Sequence, residues 1–203
     1  MRTLSLLSLA ALAAAAPAAD EVTSLPGWSG PLPSRTYSGF INAGHDLQDG
    51  VNRTMMMWYM FIEAEVADPL SAPVLLFSNG GPGASSAFGL FTEFGPLQLS
   101  ADSMSTNPPT LFRNPYSWSK LANIVILNGP APVGYSYCTP IGPAGDGTSC
   151  GSWNDTRTAE FNYNFVLGLF DAFPEFKNAP FFIAGESYAG VCVARQPPAK
   201  SKD

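Results

Sequence analysis

Six residues, Gly185-Glu186-Ser187-Tyr188-Ala189-Gly190, constrain the chain more than any others. They follow the apolar run Phe181-Phe182-Ile183-Ala184, which reads as a short buried strand. A serine among small residues directly after a strand is the chemistry of a nucleophile elbow, a sharp strand-to-helix turn that lifts Oγ into solvent. The serine backbone is strained in such a turn, so its neighbours must lack bulk, as Gly185, Ala189 and Gly190 do. The usual pattern has glycine two residues after the serine; here the residue is Ala189. An ordinary glycine-rich turn with a surface serine would carry the same letters, so the elbow needs a partner elsewhere in the chain.

Asn79-Gly80-Gly81-Pro82-Gly83-Ala84-Ser85-Ser86 is that partner. It follows a second apolar run, Pro73-Val74-Leu75-Leu76-Phe77. Backbone N–H groups can converge on one point only where no side chain obstructs them, so a strand running into a glycine-rich loop suits an oxyanion hole. A phosphate-binding turn is the competing reading, but no Lys-Ser/Thr follows as in a P-loop.

With these two stretches in place, the chain resembles the N-terminal part of a serine carboxypeptidase. Asn79-Gly80-Gly81-Pro82-Gly83-x-Ser85-Ser86, Glu93-Phe94-Gly95-Pro96, Asn114-Pro115-Tyr116-Ser117-Trp118 and the elbow occur in that family's order over residues 25–191. The resemblance implies an α/β-hydrolase fold, truncated after the nucleophile elbow, with Ser187 as the catalytic nucleophile. It implies that the backbone N–H groups of Gly81 and Tyr188 form the oxyanion hole. It also implies that Asn79, Glu93 and Glu186 hydrogen-bond the C-terminal carboxylate of a peptide. Two glutamates beside a carboxylate act as donors only when protonated, and like charges in one site raise carboxyl pKa values, so binding is expected to favour acidic pH. Solvent-facing or purely structural acids are the plain alternative for both. No cofactor and no metal are expected, since no CxxC or His/Cys cluster is present.

The sequence departs from the family at several positions. Phe77 stands where tryptophan is usual, Ala84 where cysteine is, Pro132 where glycine is, and Asn128 where aspartate is frequent. Pro132 removes a backbone donor from its loop. Beyond residue 191 the match stops: Cys192 and Ala194 replace the usual tyrosine and proline, and 192–203 reads as a divergent polar, Pro-rich tail that does not continue the helix.

Serine is a weak nucleophile until a base takes its proton, and in this fold the order is Ser, then Asp, then His. The one histidine, His45, precedes Ser187 and reads as a solvated turn residue; the one acid after Ser187 is Asp203. The expected activity is serine-type carboxypeptidase, releasing C-terminal amino acids through an acyl-enzyme on Ser187, here as a fragment lacking its triad acid and base. An inactive fragment or binding module is the alternative, and an esterase or acyltransferase on the same fold a further one.

Composition agrees with a globular domain. Residues are 46% hydrophobic and 13% charged, which excludes a disordered chain. A net charge of -6 argues against nucleic acid as a partner, which wants a basic stripe. Residues 1–18 read as a secretory signal peptide: Arg2, an apolar stretch over 4–16, then Ala16-Pro17-Ala18, with cleavage after Ala18 or Ala19. The stretch is too short to span a membrane. The partial carboxypeptidase domain then covers 19–191. The chain is expected to be secreted or delivered to a lysosome- or vacuole-like acidic compartment, with peptide C-termini as substrates. Asn52-Arg53-Thr54 and Asn154-Asp155-Thr156 are glycosylation acceptors on that route. Cys138 and Cys150 flank a Gly/Pro/Ser-rich loop and are expected to close it as a disulfide, with two free thiols as the alternative; Cys192 is the odd cysteine.

Strands are expected over 35–41 and 55–65 with a turn at 46–50, over 74–77, 123–127 and 181–184. Helices are expected over 85–92, capped by Ser85 or Ser86, and over 156–173, where Ala159, Tyr163, Val166, Leu167, Phe170 and Phe173 recur at helical spacing and Pro174 ends the run. Such alternation predicts a mainly parallel central sheet covered by helices.

Overall fold

The computed structural model describes residues 16–194. The export signal read over 1–18 lies largely outside the described residues, as does the tail from residue 195. Ala16 is held where the description starts: its N–H donates to Glu175 Oε1 at 2.9 Å. The strands, in chain order, are β1 (Glu21–Val22), β2 (Thr36–Gln48), β3 (Val51–Ile62), β4 (Val74–Ser78), β5 (Leu97–Gln98), β6 (Phe112–Arg113), β7 (Asn123–Leu127), β8 (Tyr137–Thr139) and β9 (Phe181–Gly185). The α-helices are α1 (Ala87–Gly89), α2 (Asp155–Ala172) and α3 (Ala189–Ala194). The main sheet runs β1-β2-β3-β7-β4-β9, with β8 also paired to β3. β2 and β3 are antiparallel, whereas β7, β4 and β9 are parallel to one another. This is an α/β architecture with a mixed sheet.

The β2–β3 hairpin is longer and its turn tighter than the sequence suggests. Gln48 pairs with Val51, so the turn is Asp49-Gly50 alone. Both have positive φ, 52° and 74°. Asp-Gly is the favoured pair for a two-residue turn of that kind, and its twist suits long strands. His45 therefore lies in a strand, exposed, where the register shifts between Asn42 and His45, and not in a loop.

Alternation along the central strands sorts the core into two faces. Tyr59, Phe61, Leu76 and Val125 point to one side with Phe161, Phe165 and Leu169 of α2. Trp58, Met60, Ile62, Phe77, Ile124 and Ile126 point to the other with Leu90 and Phe94. β7 is buried at all five positions, as a central strand covered on both faces must be. Phe173 seals the end of α2, stacked on Phe61 at 4.5 Å between ring centroids. Cys138 and Cys150, both buried, are joined in a disulfide across the loop that leads to α2. At the other edge β9 has no neighbour beyond β4 among the described residues, and Phe182 is 57% exposed there.

α3 corrects the expected tail. Helix continues past Cys192 to Ala194. The residues 189–194 contain no proline, so nothing in them ends the turn. The expected helix over 85–92 is also altered: α1 is three residues long and gives way to a π-helical turn over Leu90–Phe94.

Glu63, beside the end of β3, is buried at 8% exposure. Tyr37 donates its hydroxyl to Glu63 Oε1 at 3.3 Å, and Arg35 stands 3.7 Å away. Burial pushes the Glu63 carboxyl above its ordinary value, and burial together with Glu63 pushes the Tyr37 hydroxyl up to about 12. A carboxyl whose folded pKa is raised stabilises the fold when protonated, below its unfolded pKa, and that contribution is lost as pH rises through the folded value. Glu63→Gln keeps an acceptor for Tyr37 without the charge. Urea midpoints of the two proteins are expected to agree near pH 4 and to separate towards pH 7, with the variant the more stable. Parallel curves across that range would refute this assignment.

Candidate active site

The three parallel strands β4, β7 and β9 end on the same side of the sheet, the place where open α/β sheets bind ligands. The glycine-rich loop leaves β4, Asn128 leaves β7, and the elbow leaves β9. Ser78 pairs with Gly185, which brings the first two of these turns side by side at residues 79 and 186.

Ser187 has φ +57°, the left-handed region that a non-glycine residue rarely adopts. Around that strained residue the space is tight. A Cβ added at Gly185 would meet Ala189 Cβ at 2.7 Å, and Ala189 is fully buried, so its methyl already fills the gap a bulkier side chain would need. Gly190 differs from expectation: an added Cβ meets no described atom within 4 Å, so spacing does not demand glycine there. Ser187 itself is exposed, and its hydroxyl has no hydrogen-bond partner among the described residues.

The glycine-rich loop lies directly against the elbow. A Cβ added at Gly80 would come within 2.5 Å of Tyr188 N and 2.6 Å of Glu186 O. Any side chain at 80 would therefore collide with the backbone that presents the Tyr188 N–H. Gly81 follows with φ +110°, and an added Cβ there would stand 2.8 Å from Ala84 N. The Gly81 N–H has no acceptor among the described residues.

Side chains hold this loop in place. Ser86 Oγ donates to Leu127 O at 2.6 Å and accepts from Asn79 N at 3.0 Å. Asn128 Oδ1 accepts from Ser86 N and from Ser85 Oγ, both at 2.9 Å. The Ser86 hydroxyl is thus spent across the site and does not cap α1; Ser85 Oγ accepts from Ala87 N instead.

Of the three residues implied for carboxylate binding, two are brought together. Asn79 Nδ2 donates to Glu186 Oε2 at 2.8 Å, while Asn79 Oδ1 accepts from Gly89 N at 3.1 Å. Glu93 is exposed in the turn after α1, and no hydrogen bond joins its carboxylate to Asn79 or Glu186. His45 is remote: β2 and β9 are four strand spacings apart in the sheet, on the order of 19 Å at about 4.8 Å per spacing. Asn52 is exposed beside the β2–β3 turn, and Asn154 is exposed as the N-cap of α2, its side chain accepting from Arg157 N.

Sequence reasoning missed Asp155. Its Oδ1 accepts the Tyr188 hydroxyl at 2.8 Å, tying the elbow to the first turn of α2. An acid in the first turn of a helix was the available signal, since the dipole favours negative charge there. Among the described residues no group of His, Cys, Asp and Glu could hold a metal, and no helix is long and apolar enough to cross a membrane.

A family model for serine carboxypeptidases matches residues 26–196. Serine carboxypeptidase-like 20 of Arabidopsis thaliana is 42% identical over 177 residues, covering 87% of this chain and 33% of the relative. Serine carboxypeptidase 1 of Hordeum vulgare is 40% identical over 177 residues, with the same coverage, 87% and 33%. The lysosomal protective protein of Mus musculus is 38% identical over 190 residues, 94% of this chain and 35% of that protein. Among solved structures, a prohormone-processing carboxypeptidase from Saccharomyces cerevisiae superposes with a TM-score of 0.64 at 22% identity, over 79% of this chain and 32% of that one. The chain spans about a third of the length of the curated relatives it matches.

Proposed function

The chain belongs to the serine carboxypeptidase family and carries its α/β-hydrolase fold, and from that premise we propose that it forms the nucleophile and oxyanion half of a serine-type carboxypeptidase site. In this reading Ser187 Oγ attacks the last peptide carbonyl, and a base in a longer chain takes its proton. The oxyanion that forms is held by the N–H groups of Gly81 and Tyr188. Collapse expels the C-terminal amino acid, its amine taking up the proton, and leaves an ester on Ser187 that water hydrolyses. The observation that supports the reading is the close approach of Gly80 to Tyr188 N, next to a strained, exposed serine.

Asn79, Glu186 and Glu93 are the residues we assign to the substrate carboxylate. The hydrogen bond from Asn79 to Glu186 supports a shared role for the first two. A Ser187 hydroxyl without a partner among the described residues favours peptide binding without turnover. Residues 1–18 as an export signal, glycosylation at Asn52 and Asn154, and an acidic secretory, lysosomal or vacuolar compartment belong to the same proposal.

The test is binding. N-blocked dipeptides with a free C-terminal carboxylate are expected to bind the chain more tightly than their amides. Equal affinity for acids and amides in calorimetric titrations would overturn the assignment.

A further inference from the structure

A cavity of about 290 Å³ lies between α2, α3 and the loops that follow β4 and β7. Ser187, Glu186 and Glu93 do not line it, but Asn79, Gly80 and Tyr188 do, so it adjoins the glycine loop and the elbow; the ligand it fits is set by Asn162, Trp153 and Cys192 and not by peptide hydrolysis. Its volume exceeds the ~150 Å³ that holds a benzene ring. Pro82, Pro130 and Trp153 supply apolar wall, and the Cys192 thiol adds a polarisable surface suited to an aromatic ring.

The polar groups narrow the ligand. Asn162 lines the cavity from α2 at 4% exposure, and its side chain makes no hydrogen bond to any described residue. Its Oδ1 sits beside Gly129, where an added Cβ would stand 3.0 Å away. The buried Nε1 of Trp153 also lacks an acceptor. Buried amides and indoles are normally partnered, and each one left alone is costly. A hydroxyl can both donate and accept. Anions are disfavoured: Asp155 lines the wall, and no Lys, Arg or His does. Burial and the nearby Asp155 push the Cys192 thiol up, so it stays neutral around pH 7.

We propose that this cavity binds a neutral, single-ring aromatic alcohol of the phenol class, with the ring against Trp153 and the two prolines and the hydroxyl on the Asn162 amide. Cys192 is the free thiol of the chain and reports occupancy. p-Cresol is expected to slow iodoacetamide alkylation of Cys192 saturably, toluene to require about tenfold higher concentration for want of one hydrogen bond, and benzoate to give no protection. Asn162→Leu should reduce p-cresol to the level of toluene. Cys192→Tyr should fill the cavity and abolish p-cresol binding in ligand-observed NMR, with far-UV circular dichroism unchanged. The proposal fails if alkylation is unaffected by p-cresol, if p-cresol and toluene protect equally, or if Cys192→Tyr binds p-cresol undiminished. Should Asn162→Leu not fold, the three-compound series on the unaltered chain decides alone.

Discussion

Purified as these 203 residues and incubated with an N-blocked dipeptide at acidic pH, the chain is expected to release no amino acid, and a phosphonate probe is expected to leave Ser187 unlabelled. The elbow strains Ser187 and exposes it, but no described residue is placed to take its proton. The one histidine sits in β2, four strands across the sheet from β9. No carboxylate other than Asp203 follows Ser187. Loss of a triad base costs about 10⁶-fold in kcat, and an oxyanion hole alone retains only ~10³–10⁴ over water. A longer chain that supplies both acid and base should turn over peptide, and there Ser187→Ala should remove about 10⁶ of kcat with little change in peptide affinity. Stoichiometric labelling of Ser187 in the 203-residue chain would show that the serine finds a base elsewhere.

Arg157→Ala is expected to be the most destabilising single change on the α2 side of the sheet. The guanidinium is 7% exposed and uses four of its five N–H donors. Nε and Nη2 donate to the two oxygens of Asp46 at 2.7 and 3.1 Å, Nη1 donates to Ser152 O at 2.9 Å, and Nη2 donates to Cys150 O at 3.0 Å. Its carbon lies 3.7 Å from the centre of the Trp153 ring. One side chain thus joins β2, the disulfide loop and α2. Removing it strands Asp46 and two carbonyls, a loss of about 3–5 kcal/mol. Arg157→Lys keeps the charge but not the planar fork and should recover less than half. Urea midpoints at pH 7 measure both; a cost for Arg157→Ala below about 1 kcal/mol would mean that the network is replaceable by water.

Much of this fold is legible in the sequence because local rules decide it. The strand read over 123–127 coincides with β7, and the helix read over 156–173 is α2 shifted by one residue, since apolar spacing and Pro174 mark it. The Asp49-Gly50 turn is legible as a turn, yet the reach of β2 to Gln48 is not: long strands are fixed by pairing with β3, which no window of β2 contains. The helix after the glycine loop is misread for a related reason. Ser86 would cap it by local logic, but a partner 41 residues away, Leu127 O, takes its hydroxyl. The candidate site divides along the same line. Small residues around Ser187 and in the loop at 80–83 are visible as letters, whereas the pairing of Tyr188 with Asp155, and the distance of His45, exist only once the sheet is assembled.

The contact of Gly80 with the Tyr188 amide also orders events during synthesis. Asn79 and Glu186, the nearest bonded pair across it, are 107 residues apart. Contacts of such separation close late, because the loop entropy must be met before they return anything. A nascent chain that has emerged only as far as α2 holds the glycine loop with no elbow to meet. The close packing of the loop around the left-handed Ser187 turn exists only once β9 lies beside β4. The elbow therefore cannot face the glycine loop while the chain is still unfolded, and the candidate site stays unformed until the last strand described here is in the sheet.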